Sequence, residues 1–190
     1  MNLKQKICLL LPLAAFILAW QFLSGSGLVN SSLFPPPTKV LASFIELWNS
    51  GELLLHIRSS IFRVFTGLII GSIVGIFFGL MTGRIKIVDK SISPILQVIR
   101  SFPPVAIIPL VIAWIGIGES AKIFSISFAV FFPVWINTHI GASNVPSGYL
   151  RAASTLTNSA LKRFSKVILP ASLPLIIAGI RTGISIVACF

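Results

Sequence analysis

The chain has 190 residues, 55% of them hydrophobic and only 10% charged, with a mean hydropathy of +0.99. Soluble domains carry roughly 25% charged residues, so this composition excludes a water-soluble globular fold and predicts a membrane-embedded chain. Fifteen Lys and Arg against four acids give a formal charge of +11; these cations are sparse and flank apolar runs, so topology and anionic headgroups account for them better than a nucleic-acid partner.

A spanning helix needs about 20 mainly apolar residues. The first predicted span is 7–23, preceded by Lys4 and Lys6. A cleavable signal has an apolar core of about 7–15 residues. This run is longer and further spans follow, so an uncleaved first helix is expected, with cleavage near Ser24-Gly25-Ser26-Gly27 as the alternative. Cys8 and Cys189 lie far apart in apolar segments, with neither metal nor redox spacing.

Leu33-Phe34-Pro35-Pro36-Pro37 cannot be helix interior, because proline lacks the donor and clashes with the preceding turn. Thr38 then reads as an N-cap. Val40, Leu41, Phe44, Ile45, Leu47 and Trp48 recur at helical spacing beside Lys39 and Glu46, predicting a short interfacial amphipathic helix that Gly51 ends. A new helix starts at Glu52 and runs into the second span, 64–82. In it Gly67, Gly71, Gly75, Gly79 and Gly83 recur every four residues. Such a row makes a thin face that a second helix can approach closely; packing within the subunit and lining of a solute path are both open readings.

Arg84, Lys86 and Lys90 form a basic loop. The third span, 92–115, holds Pro94, Pro103, Pro104 and Pro109, and its interrupted backbone requires protein or a water-filled path beside it. Ile115-Gly116-Ile117-Gly118-Glu119 is a turn. The fourth span is 121–140, containing Pro133, and the fifth is 173–190, containing Arg181. Nine Lys and Arg fall on one side of these spans and four on the other, which places the N-terminus and the loop near 149–170 in the cytoplasm. His56 and His139 are lone histidines without a nucleophile-and-base constellation. No Gly-rich phosphate loop followed by Lys and Ser or Thr occurs, so the chain is not expected to bind ATP.

The loop carries Arg151-Ala152-Ala153, then Thr157, then Val167, Leu169 and Pro170. In register and spacing it resembles the ATPase-docking loop of ABC importer permeases, whose pattern is Glu-Ala-Ala, three residues, Gly, nine residues, Ile, one residue, Leu-Pro. Arg151 stands where that pattern has Glu, and Thr157 where it has Gly. Thr157 is β-branched, so a positive φ there would be unfavourable. The resemblance extends along the chain through Leu33-Phe34-Pro35-Pro36-Pro37, Gly51-Glu52-Leu53, Arg63 with Gly67, the run from Arg100-Ser101-Phe102-Pro103-Pro104 to Leu110, Trp114-Ile115-Gly116-Ile117-Gly118-Glu119, Lys122, Asn137-Thr138 and Gly179-Ile180-Arg181. These are similar to the permeases of the nitrate, sulfonate and taurine group.

The resemblance implies one all-α polytopic permease domain over 1–190, a helical bundle with five of six spans present. It implies a non-enzymatic, multi-pass subunit of the bacterial plasma (inner) membrane that moves a small anionic solute. It implies three partners: ATPase subunits that bind the ATP, an external solute-binding protein and a second permease copy. The docking residues would be Arg151, Ala152, Ala153, Thr157, Val167, Leu169 and Pro170. Arg100 and Arg181, charges at or within span edges, and Pro103 and Pro104 are candidates for the translocation path; lipid phosphate or helix carbonyls are alternative partners for the arginines. No catalytic or metal-ligating set is expected. Phe190 falls inside an apolar helix where the family continues, so a C-terminally truncated permease is expected, with a genuinely short permease as the alternative. A secondary carrier, a channel, a membrane enzyme and a non-functional fragment are the competing classes; a carrier would be expected to show half-repeats and intramembrane acids.

Overall fold

The computed structural model describes residues 3–26 and 33–188, and among these every regular element is helical. The chain divides into two compact units at Ser59 and Ser60.

In the first unit, α1 (Leu3–Gly25) covers the first predicted span, and α2 (Pro37–Asn49) is the amphipathic helix. The N-cap expectation fails by two residues. Pro36 holds the cap position, extended at φ −67° and ψ 150°, and Pro37 opens the helix, because proline at the first helical position loses no bond that the helix would make. Thr38 is tied to α1 instead: Gln21 Nε2 donates to its Oγ1 at 3.2 Å, and its N–H donates to Gln21 Oε1 at 3.3 Å. The Ser24 hydroxyl donates to the Phe34 carbonyl. Val40, Leu41, Phe44, Ile45 and Trp48 are all exposed on α2, which suits a helix bathed in the bilayer interface. Ser50 caps the helix and Gly51 turns the chain at φ 75°.

The glycine row organises the second unit. Helix α3 (Glu52–Arg84) crosses the unit boundary, and its glycines lie against α6 (Glu119–Ser143). Gly67 meets Ile126, Gly71 meets Val130, Gly75 meets Val134, Gly79 meets Thr138 and Gly83 meets Ala142. Both rows advance by four residues in the same direction, so α3 and α6 run parallel. A Cβ at Gly71 would lie 2.5 Å from the Ser127 carbonyl oxygen, and one at Gly75 2.9 Å from that of Phe131. The row therefore serves helix packing within the subunit. On the other side of α6 lies α9 (Leu169–Val187), antiparallel to it: Gly141 meets Ser172 and Leu175, Gly179 meets Pro133, Val134 and Asn137, and Gly183 meets Val130. Val130 and Val134 sit between the two glycine faces, fully buried.

The expected third span is two helices, α4 (Lys86–Arg100) and α5 (Pro104–Ile115), meeting at 98°. Pro94 and Pro109 are carried inside these helices; only Pro103-Pro104 breaks the ladder, with Pro103 at the cap and Pro104 opening α5. The polar segment expected as a loop is helical too: α7 (Ser147–Leu156) and α8 (Ala160–Arg163). From α8 the chain passes through a π turn, Phe164–Ile168, directly into α9. The Leu169 N–H reaches five residues back to Phe164, because Pro170, next in line, has no N–H to continue the regular ladder. The helix of the expected fifth span thus runs without a gap over Ala160–Val187, starting earlier than the expected 173; Cys189 and Phe190 lie outside the described residues.

Among the described residues, three helices are long and apolar enough to cross a membrane, Glu52–Arg84, Glu119–Ser143 and Ala160–Val187, or four when the bent pair is one span; Leu11–Gly25 is a shorter apolar helix. Their outer faces remain apolar and uncovered, with Phe65, Ile69, Ile73 and Phe77 on α3 and Ile177 and Ile184 on α9 all exposed. In water these faces would be unstable; in hydrocarbon they are solvated, and the helices satisfy their own backbone groups.

Candidate functional site

The segment between α6 and α9 holds the motif residues. Arg151 is exposed on α7, its Nη2 3.4 Å from the Ser147 hydroxyl one turn back. Ala152 is exposed, whereas Ala153 is buried. Thr157 caps α7 with φ −157° and ψ 137°, extended backbone that any residue adopts, so the turn needs no glycine and carries no strain. Hydroxyls close the corner instead: Thr157 Oγ1 accepts from the Ser159 N–H at 3.3 Å, and Ser159 Oγ accepts from the Lys162 N–H at 3.4 Å. A hollow of about 220 Å³ lies between the two helices, lined by Ala153, Thr157, Val167, Leu156, Lys162 and Lys166 among others. The fold thus joins Ala153, Thr157 and Val167. Arg151 and Ala152 stay on the surface, and Leu169 and Pro170 belong to the first turn of α9.

The residues proposed for a path lie on three elements. Arg100 is exposed in the last turn of α4, and Pro103 and Pro104 form the bend after it. Arg181 is exposed about two thirds of the way along α9 and makes no ion pair among the described residues.

The charges that do converge are others. Arg63 on α3 donates through Nη2 to Glu119 Oε1 at 2.9 Å, and its Nε donates to Glu119 Oε2. Lys122, one turn along α6, lies 3.4 Å from the same Oε1. Arg63 and Lys122 line a cavity of about 500 Å³ between α3, α5 and α6, together with Ser60, Ser125, Ile108 and Ile112. In the sequence Arg63, Glu119 and Lys122 each enter the family resemblance singly, but nothing there pairs them; Arg63 and Glu119 are 56 positions apart. The available signal is Glu119, one of only four acids, placed beside the α5–α6 turn.

At the far end of α3 and α6, Thr82 Oγ1 donates to the Phe78 carbonyl at 2.8 Å, accepts from Trp135 Nε1 at 3.2 Å and lies 3.0 Å from His139 Nδ1. That nitrogen is 3.9 Å from Asp89 Oδ1, which accepts from Ser93. Arg84 Nη1 donates to the Ala142 carbonyl at 3.3 Å. His139 is therefore a structural histidine that satisfies a helix junction.

The glycine-packed core, the bend and the helical segment before α9 all fall within residues 67–188, which match the family of binding-protein-dependent transport system inner membrane components. The chain belongs to that family. Among its relatives is the putative aliphatic sulfonates transport permease protein of Bacillus subtilis (strain 168), 39% identical over 178 residues, covering 94% of this chain and 64% of the relative. The taurine transport system permease protein of Escherichia coli (strain K12) is 31% identical, covering 92% of this chain and 65% of the relative. The nitrate import permease protein of Synechocystis sp. (strain ATCC 27184 / PCC 6803 / Kazusa) is 33% identical, with 92% and 66% covered. The chain thus spans just under two thirds of the length of these relatives. Membership in the nitrate, sulfonate and taurine group of permeases, and an all-α multi-pass membrane fold, agree with what the motifs implied.

Proposed function

We propose that the chain is the membrane subunit of a bacterial ABC importer, carrying a small sulfonate-, taurine- or nitrate-like anion and performing no chemistry itself. In this reading ATP is bound by cytoplasmic ATPase partners, an external protein delivers the solute, and two permease copies form the path. The observation that carries it is the α7–α8 pair. It stands between two antiparallel spanning helices at one end of the bundle, with Ala152 and Arg151 exposed for a partner and Ala153 seated against the hollow. Arg84, Lys86, Lys90, Arg151, Lys162, Arg163 and Lys166 gather at that end of the chain's spans, which supports a cytoplasmic face there and a cytoplasmic N-terminus. Small alanines on a short helix let a partner cleft close around it, and Arg151 calls for an acidic group on that partner.

The test is co-purification with an ATPase of the same group. Ala152→Trp should reduce recovered ATPase at least about tenfold, since a large side chain at the centre of a packed contact is not tolerated. Ala42→Trp on α2 should leave recovery unchanged. Arg151→Glu, which restores the family's charge, should raise it for an ATPase whose docking cleft matches the usual motif. Equal recovery for all three variants would overturn the docking assignment.

A further inference from the structure

We propose that the cavity between α3, α5 and α6 is a binding site for a small organic monoanion with a short aliphatic tail, its head held by Arg63 and Lys122. At about 500 Å³ it falls within the range of small-molecule sites. Its charge balance is one-sided. Arg63 and Lys122 share a single carboxylate, Glu119, so one positive charge remains beside the cavity.

The donors are not exhausted either. A guanidinium has five N–H groups and an ammonium three. Glu119 engages Nε and Nη2 of Arg63 and one direction of Lys122. Arg63 retains its Nη1 donors, and Lys122 two of its three. An anionic head can therefore bridge both cations without first displacing Glu119, and such charge-assisted bonds are the strong ones. Ile108 and Ile112 of α5 add apolar lining to the same cavity, which suits methylene groups and disfavours a bare multiply charged ion.

The assignment deepens the importer reading and rests on it for its role in transport. A membrane phosphodiester offers the same chemistry, a monoanionic head with apolar chains; the geometry is assigned here to a free solute, and the test separates the two.

The full chain in phosphatidylcholine nanodiscs is titrated with butane-1-sulfonate, with butylammonium as the control and binding followed by saturation-transfer NMR. The sulfonate should bind and the amine should not. Arg63→Gln should weaken binding at least about tenfold, and Lys122→Gln severalfold. Glu119→Gln, which removes the carboxylate that offsets part of their charge, should tighten it severalfold. A purely structural ion pair would make Arg63→Gln and Glu119→Gln fail alike, so opposite signs support the site. Ile112→Trp should abolish binding by filling the cavity, whatever becomes of the charge variants. Unaltered sulfonate binding in Ile112→Trp, or weaker binding in Glu119→Gln, overturns the proposal. Repeating the titration with phosphatidylglycerol present identifies the source: loss of sulfonate binding at modest lipid fractions assigns the cavity to lipid and also overturns it. Failure here with ATPase recovery intact leaves the importer reading standing, whereas loss of ATPase recovery strikes that reading and leaves measured sulfonate binding untouched.

Discussion

Glycine is expensive in a water-exposed helix, at about 1 kcal/mol relative to alanine, yet α3 carries one every fourth residue from Gly67 to Gly83. The return is backbone proximity. Ile126, Val130, Val134, Thr138 and Ala142 occupy the space that side chains on α3 would otherwise fill. Gly71→Ala would drive a methyl group to 2.5 Å from a backbone oxygen, and a backbone cannot swing aside as a flexible side chain can. We expect Gly71→Ala to destabilise the folded protein in detergent by about 1–3 kcal/mol, as overpacking does. Gly148→Ala on α7, with nothing within 4 Å, should leave stability unchanged; the check is the midpoint of SDS-induced unfolding for the two variants. Equal midpoints would mean that α3 and α6 pack otherwise. The row is readable in the sequence because its period is local. The Arg63–Glu119–Lys122 cluster is not, because its partners come together only when α3 and α6 adopt one register, and no local pattern encodes that pairing. Arg100 and Arg181 read as charges at span edges, and neither is among the residues that line the cavity between α3, α5 and α6.

Among the elements, α2 follows from its sequence nearly to the residue, since a proline run, an amphipathic stripe and a glycine fix both ends. The four prolines of 92–115 all read as breaks in the sequence, and only the adjacent pair is one. A lone proline leaves one carbonyl without its bond and helices absorb it; two at a helix start fix an extended cap and redirect the chain by 98°. The π turn before α9 has no sequence signature beyond the prolines that follow it. The turn between α5 and α6 is set by one residue: Gly116 has φ 89°, whereas Gly118 is extended at φ 173°. We expect Gly116→Ala to cost about 1–3 kcal/mol, since φ 89° with ψ 174° is backbone that glycine alone adopts readily, and Gly118→Ala to cost much less. Thermal unfolding of the two single variants checks this, and matched losses would contradict the assigned turn. Because this turn leads directly to Glu119, the costlier variant should also disturb the ion pair with Arg63.

At the scale of the whole molecule, parallel α3 and α6 with antiparallel α9 leave the basic α7–α8 pair at one end and the Arg63–Glu119 pair towards the other. Composition already required a membrane, and the motif spacing already carried the family; which end faces the cytoplasm follows from charge asymmetry alone and is the premise of ATPase docking. Sidedness is therefore what an accessibility measurement must establish. In a background with Cys8→Ser and Cys189→Ser, single cysteines are introduced as Ser50→Cys, after α2, and Ser159→Cys, between α7 and α8. A membrane-impermeant maleimide is then added to intact cells. With α7 and α8 cytoplasmic, Ser50→Cys is labelled and Ser159→Cys is labelled only after the membrane is opened. Labelling of Ser159→Cys in intact cells, with Ser50→Cys protected, would contradict that placement.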